Sequence, residues 1–530
     1  MKKLPSVLLL TFLTTIPTVV LALDCNPTTE PKFIISYSGS DFEKSKSDVA
    51  SAVAGLNVEV SYERKLVFGY HSISMSGESS DIQSAVQLLR QDSSLVSYLQ
   101  PDPVARLANT PTDPLINQQW ALGNGPGSLL MSQGWNSQNG YGTVVAILDT
   151  GITPHEDLQS RLLPGYDFVS QVYARDGGGW DSDPTDPGDW VEASECSAGR
   201  RSTWHGTHVA GIAAASANSV GIAGIAPRAS ILPIRVMGDG HGYASDIAAA
   251  IAWAAGSPIE GGPPTLSAGS TASVINLSLS LDGNCSSKPE LAILREAVSY
   301  ARSKGVIVVA AAGNDQSHSS LYSPASCPGV ISVAASIKAD LPTLASFSNT
   351  GARFSAPGVD VLSTYNSGMQ QASAGNYSYQ EGTSQAAPFV AGTIASMQSV
   401  MPRSESEIMR ILDETADRGD CTSTTTCPTP RILSGPAILR AATYPEARFK
   451  FILNKTYPAK VNARNNSVDP NGDAMTAVWS FDSMKYYQWN LPSIPFTIGS
   501  HRIELEVTDA TGKKSTTSQM IYCPTLSVCY

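Results

Sequence analysis

The sequence predicts an α/β domain with a mainly parallel sheet flanked by helices, preceded by a small α+β unit and followed by a small β-sandwich. Three observations carry this. From about residue 112, short continuous apolar runs alternate with segments of helical spacing, the pattern of strands buried on both faces. An earlier stretch of about 85 residues reads strand, helix, strand, strand, helix, strand. Beyond about Tyr444 helical spacing stops, and two-residue alternation with turn signals replaces it. A length of 530 residues accommodates several domains. With 42% hydrophobic and 15% charged residues the chain supports globular cores. A formal charge of −11 argues against nucleic acid as a partner, because phosphate binding needs clustered Lys and Arg.

Taken in order, Lys2 and Lys3 precede an apolar run over residues 7–21, with Val20, Leu21 and Ala22 as a cleavage site. Residues 1–22 therefore read as an export signal. A retained anchor fits less well, because the run is short and broken by threonines and Pro17. Asp24 disfavours lipid modification of Cys25. No other stretch is long enough to span a bilayer, so the expectation is a secreted, extracellular protein without a stable membrane anchor. Eight cysteines in an exported chain suggest disulfides. Cys421 and Cys427 are near neighbours, as are Cys523 and Cys529; Cys285 with Cys327 is a third candidate pair, and Cys25 and Cys196 stay unassigned.

Residues 23–109 form the next segment. Strands are expected at 32–37, 58–62, 66–73 and 95–99, with helices at 42–54 and 82–89. That order is the ferredoxin-like β-α-β-β-α-β unit. The plain alternative is an independent small domain. Its position between an export signal and a loose Pro/Thr/Asp/Asn segment at 108–114 points to a prodomain, since such segments are natural processing sites. Residues 110–444 carry the parallel-sheet pattern, with apolar runs at 143–148, 231–236, 274–279 and 306–311. Helices are expected at 245–255 and 289–304, the second stopped by Gly305. In residues 445–530, Ala477, Trp479 and Phe481, and Ile503, Leu505 and Val507, alternate as half-buried strands do. Asp469-Pro470-Asn471-Gly472-Asp473 and Asp509-Ala510-Thr511-Gly512 are turn signals.

Chemistry enters at strand and helix ends, where sites of such sheets gather. Gly382-Thr383-Ser384-Gln385-Ala386-Ala387-Pro388 reads as a tight turn that delivers one serine to a helix start. Free backbone N–H groups and the positive end of the helix dipole lie there, ready for a developing oxyanion. Asp149 ends one buried run, Asn314 another, and His205 opens His205-Gly206-Thr207-His208-Val209-Ala210-Gly211, a second turn into a helix. Taken singly, the plain readings of a satisfied buried Asp, a turn Asn and a capping His are the stronger ones. Together they are a matched nucleophile, base, orienter and donor.

These motifs, with Val145-Ala146-Ile147-Leu148-Asp149-Thr150-Gly151 and Ala311-Ala312-Gly313-Asn314, resemble those of the subtilisin-like serine proteases, the subtilases, over roughly residues 120–441. The long acidic loop before the histidine is similar to secreted bacterial members. The resemblance implies that Ser384 is the nucleophile, His205 the general base and acid, Asp149 the group that fixes the imidazole, and Asn314 the oxyanion donor beside the Ser384 N–H. It implies protein and peptide substrates bound as extended strands, with Ser278, Leu279 and Ser280 on one side, Gly240 and Gly242 on the other, and Gly313 beside the donor. Ser280 stands where the family usually has glycine, and Gln385 where it usually has an oxidisable methionine. Residues 23–109 resemble the family's inhibitor propeptides, which implies self-processing and intramolecular inhibition. Residues 445–530 resemble polycystic-kidney-disease-type or immunoglobulin-like repeats. The reading is of a monomer.

The loop bearing Asp176, Asp181, Asp183, Asp186 and Asp189 packs five carboxylates among glycines, which suits a structural Ca2+; a solvated acidic loop is the alternative. Asp157 matches a calcium-ligand position of the family. Two other functions compete. A non-catalytic adhesin on the same fold conflicts with the intact set of four residues. An esterase of the α/β-hydrolase type conflicts with the order Asp, His, Ser and with the missing Gly-x-Ser-x-Gly elbow.

Overall fold

The computed structural model describes residues 32–39, 41–66, 69–102, 111–135, 137–192, 199–267, 269–399, 401–419, 429–454, 460–470, 473, 475–482, 484–495 and 497–523. The expected export signal, Cys25, Cys196, the Cys421–Cys427 pair and Cys529 lie outside these residues. The described chain falls into two compact units, one of residues 32–102 with 444–523 and one of residues 111–443.

In the first unit, β1 (Lys32–Tyr37), α1 (Phe42–Val53), β2 (Glu59–Lys65), β3 (His71–Ser76), α2 (Ser79–Gln91) and β4 (Val96–Pro101) follow in chain order. The strands form an antiparallel sheet ordered β2-β3-β1-β4. Phe33, Ile35, Val49, Val53, Ile73, Met75 and Leu89 meet in its core. The middle strand pair sits later than the sequence suggests. Leu66 N–H bonds to the Tyr70 carbonyl at 2.8 Å and Gly69 takes φ +83°, so residues expected to begin a strand close a turn instead.

The second unit is built on β5 (Val144–Asp149), β6 (Tyr166–Asp167), α3 (His205–Ala214), β7 (Ser230–Arg235), α4 (Ala244–Ala254), β8 (Val274–Leu277), β9 (Leu281–Asp282), α5 (Ala292–Ser303), β10 (Ile307–Ala311), β11 (Tyr322–Ser323), β12 (Val330–Ser336), β13 (Phe354–Pro357), β14 (Val361–Asn366), β15 (Gly375–Gln380), α6 (Thr383–Gln398), α7 (Glu405–Thr415) and α8 (Ser434–Ala441). Seven strands make one sheet ordered β13-β12-β10-β8-β5-β7-β6, with every pairing parallel. Both faces are covered. Val145, Ile147 and Val309 pack toward α3 and α6 on one side. Ala146, Leu148 and Val308 pack toward α4 and α5 on the other. That two-sided burial explains why the strands read as unbroken apolar runs.

Two helices are buried all round, as central helices are. In α3 every residue except His205 is buried, and in α6 every residue except Ser384 is buried. Each helix thus presents one polar side chain from its first turn. Cys285 and Cys327 form a disulfide across a separation of 42 residues.

At the chain's end, the first unit contains β16 (Phe449–Asn454), β17 (Lys460–Asn465), β18 (Thr476–Phe481), β19 (Met484–Tyr486), β20 (Leu491–Pro495), β21 (Gly499–Thr508) and β22 (Lys514–Cys523). They form two antiparallel sheets, β16-β17-β20 and β19-β18-β21-β22. Trp479, Phe481, Ile503, Leu505 and Val507 fill the core shared with Val461 and Leu491.

Candidate active site

β5, β8 and β10 are neighbours in the parallel sheet, and their carboxyl ends set the site. β5 ends at Asp149, Ser278 follows β8, and the turn after β10 carries Gly313 and Asn314. His205 and Ser384 arrive from the first turns of α3 and α6.

His205 Nδ1 lies 2.7 Å from Asp149 Oδ1. Asp149 is almost fully buried, while the imidazole keeps about a quarter of its side-chain surface open (2% against 24%). The same carboxylate oxygen accepts the Thr150 N–H at 2.8 Å. Burial works against the charged imidazole, but the Asp149 carboxylate and its hydrogen bond outweigh it and raise the His205 pKa above its ordinary value near 6.5. This pairing fixes the proton on Nδ1 and leaves Nε2 as the basic nitrogen.

Ser384 Oγ donates to the Ser278 carbonyl at 3.1 Å, and Ser278 Oγ donates to the Ser384 carbonyl at 2.8 Å. The hydroxyl is therefore not hydrogen-bonded to His205 in this rotamer. As the second residue of α6, Ser384 has a backbone N–H without an intrahelical partner.

Asn314 is held by its oxygen. Thr383 N–H donates to Asn314 Oδ1 at 2.9 Å and the Thr383 hydroxyl donates to the same atom at 3.0 Å. With Oδ1 so engaged, the exposed Asn314 presents its Nδ2 donors outward. The Thr383 hydroxyl also accepts the buried Gly313 N–H at 3.1 Å. Gly313 takes φ +100°, and a Cβ there would meet Asn349 Nδ2 at 2.3 Å. Asn349, fully buried, accepts Asp315 N–H at 3.0 Å and Ser317 N–H at 2.8 Å and donates to the Ala312 carbonyl at 2.9 Å. Thr383 and Asn349 are the residues that sequence reasoning missed. Thr383 stood inside a quoted motif; Asn349 had no signal beyond a turn-like Ser-Asn-Thr.

Of the expected substrate residues, Leu279 is buried and Ser280 exposed. A Cβ on Gly242 would meet the Val236 carbonyl at 2.1 Å, and one on Gly240, at φ +92°, would meet Arg200 Nη2 at 2.5 Å. Neither position accommodates a side chain.

The five carboxylates of the acidic loop are not brought together as a common ligand set. Asp176, Asp181, Asp183 and Asp186 each use Oδ1 to accept the N–H two residues on, from Gly178, Asp183, Thr185 and Gly188, at 2.8–3.0 Å. Asp176 Oδ2 takes the buried Arg235 guanidinium at 2.6 Å, which also pairs with Asp167. Asp186 Oδ2 accepts the Thr150 hydroxyl at 2.6 Å. Asp189 accepts Thr203 through both oxygens and lies 3.5 Å from Arg200. Asp157 stands apart. Its Oδ2 accepts Ile222 N–H at 3.0 Å and the Tyr377 hydroxyl at 2.9 Å, while its buried Oδ1 has no hydrogen-bond partner. Burial, outweighing those bonds, raises its pKa.

The subtilase family (Peptidase S8) matches residues 140–430 of the chain. An extracellular protease of Xanthomonas campestris pv. campestris is 44% identical over 314 residues, covering 58% of this chain and 52% of that protein. Thermitase of Thermoactinomyces vulgaris is 36% identical over 288 residues, covering 53% of this chain and 84% of that protein. A solved structure of proteases from Pseudoalteromonas arctica is 41% identical, covers 63% of this chain and 100% of its own, and superposes with a TM-score of 0.58. The chain spans about half the length of the Xanthomonas protease and of the extracellular basic protease of Dichelobacter nodosus (52% and 50%).

Proposed function

The chain belongs to the subtilase family, and from that premise we propose that it is a secreted serine endopeptidase that cleaves extended protein substrates and processes its own propeptide. The observation that carries this reading is the 2.7 Å contact between His205 Nδ1 and Asp149 at the carboxyl end of β5. It supports a base whose Nδ1 is held by a carboxylate, leaving Nε2 to serve Ser384 in this reading.

In this mechanism the Ser384 hydroxyl turns from the Ser278 carbonyl toward His205 Nε2 and attacks the scissile carbonyl. His205 takes the hydroxyl proton, and the Asp149 carboxylate stabilises the imidazolium. The tetrahedral oxyanion accepts hydrogen bonds from Asn314 Nδ2 and the Ser384 N–H. His205 then protonates the leaving amine, leaving an acyl ester on Ser384 that water hydrolyses by the same steps in reverse order. Ser278, Leu279 and Ser280 on one side and Gly240 and Gly242 on the other pair with the substrate backbone, with Gly313 beside the carbonyl. Backbone pairing gives broad specificity.

Residues 23–109 act in this proposal as the inhibitory propeptide, and residues 445–530 as an extension. Calcium belongs to it through Asp157, because a buried carboxylate oxygen without a protein donor fits a hard cation, which would supply compensating charge. Replacing Ser384 tests the whole. Ser384→Ala abolishes peptide hydrolysis, labelling by an organophosphonate and removal of residues 23–109, while the fold persists by circular dichroism. Normal maturation of that variant expressed alone refutes the assignment, and a folded wild type that never reacts with the phosphonate favours the adhesin reading.

A further inference from the structure

The C-terminal sandwich holds a second group of carboxylates that the peptidase reading does not use. β18 pairs with β21 so that Thr476 faces Thr508. Asp473, just before β18, and Asp509, just after β21, therefore share one end of the sheet. Asp469 joins them from the start of the same turn, accepting the Asp473 N–H on Oδ1 at 3.1 Å. One carboxylate oxygen from each residue lies within 4.8 Å of the other two.

Asp509 supplies the observation that turns a cluster into a site. Its side chain is buried, at 5% exposure. Oδ1 accepts Thr511 N–H, the Thr511 hydroxyl and Lys513 N–H, all at 2.8 Å. Oδ2, equally buried, has no hydrogen-bond partner. A carboxylate oxygen removed from water without a donor is strongly disfavoured, and more so beside two further carboxylates. Burial, then the Asp509 charge, raises the Asp473 pKa, and Lys513 offsets only part of that repulsion.

We propose that Asp469, Asp473 and Asp509 form a divalent-cation site that takes Ca2+ at the end of the C-terminal sandwich. The donors are all oxygen, which suits a hard cation and not zinc or copper. Three carboxylates from two separate turns, completed by water, suit the irregular shell of Ca2+ better than the strict octahedron of Mg2+. Bound there, the ion ties the segment entering β18 to the turn leaving β21.

Hydrogen exchange on the full chain, carried on Ser384→Ala to prevent autolysis, reads the site locally. Sites of this extracellular class bind with Kd on the order of 10⁻⁴–10⁻³ M. At a hundredfold excess of Ca2+ over Kd, exchange through opening of residues 499–513 slows roughly a hundredfold. Asp473→Asn, at a half-buried position, loses this protection. Asp509→Asn loses it too, while its remaining carbonyl oxygen still receives the turn N–H groups. No Ca2+ response over residues 499–513, an equal response in Asp473→Asn, or equal protection by Mg2+ overturns the proposal. A response confined to the neighbourhood of Asp157 overturns it as well and leaves the catalytic-unit calcium standing.

Discussion

Thr383→Val removes one hydroxyl and keeps the shape of the side chain, so its consequences can be apportioned. The hydroxyl makes two contacts, donating to Asn314 Oδ1 at 3.0 Å and accepting Gly313 N–H at 3.1 Å. The Thr383 N–H still holds Asn314 Oδ1 at 2.9 Å in the variant, so the amide keeps its sense and loses one of two pins. A single neutral hydrogen bond is worth about 1 kcal/mol, so the oxyanion donor should lose about fivefold in kcat with KM little changed. The buried Gly313 N–H, by contrast, is left without any acceptor, and that costs about 1–3 kcal/mol of stability. The variant should therefore be hurt more in stability than in turnover. Initial rates on a chromogenic peptide measure the first effect, and urea melts in the Ser384→Ala background measure the second. Because Thr383 acts through Asn314, adding Thr383→Val to Asn314→Ala should change kcat much less than it does alone. A rise in KM at constant kcat, or an undiminished kcat loss in the Asn314→Ala background, refutes the positioning argument.

Five further outcomes follow from the same structure. His205 must be neutral to act as base, so kcat/KM should climb as pH rises through its raised folded-state pKa, and Asp149→Asn should move that limb to lower pH; an unmoved limb denies that the carboxylate sets it. The same pairing stabilises the fold below about pH 6.5 and that contribution disappears as pH rises through the folded value, so melts and rates should run in opposite directions across this window. Replacing Cys285 and Cys327 together by alanine opens a crosslink between positions 42 apart and should lower unfolding free energy by up to about 4 kcal/mol, read as a denaturant midpoint that would otherwise not shift. EDTA should lower the temperature at which activity is lost, and an unchanged value removes calcium from the catalytic unit. With the buried Gln385 beside Ser384 in place of methionine, activity should survive dilute peroxide; rapid loss with no other residue oxidised contradicts this.

The parts of the fold that were legible in the sequence are those where burial is extreme. β5, β7, β8 and β10 are buried along nearly their whole length, and their apolar runs say so directly. The candidate residues Asp149, His205, Asn314 and Ser384 stood out because each lies at an element's end inside a motif that carries glycine, where a polar residue interrupts small or apolar neighbours. Thr383 and Asn349 were not, since their meaning lies in contacts across the fold. Thr383 reaches Asn314 over 69 positions, and Asn349 reaches Ala312 over 37. No local pattern encodes such pairs. The β2–β3 boundary was misplaced for a smaller reason: Leu66 looks like a strand residue, but its N–H bonds to the Tyr70 carbonyl and β3 begins only at His71.

Carboxylate density in the sequence turned out to be a poor guide to convergence in space. The loop from Asp176 to Asp189 is dense because aspartate is a turn residue, its oxygen reaching the N–H two positions along, and four of its members do that in succession. Arg235, Arg200 and Thr203 take up much of what remains. Among the described residues none of the five keeps a buried oxygen without a partner. Asp469, Asp473 and Asp509 are spread over two turn signals and look unremarkable in the chain, yet they meet and leave Asp509 Oδ2 buried and unsatisfied. Asp157 Oδ1 is in the same condition in the catalytic unit. Local bonds already made, not the count of negative charges, decide whether a carboxylate still has reason to bind a cation. By that criterion Asp157 and the end of the sandwich are places to look for calcium, Asp113 Oδ2 and Asp149 Oδ2 meet it as well, and the acidic loop is a scaffold of turns whose carboxylate oxygens the protein has largely taken up itself.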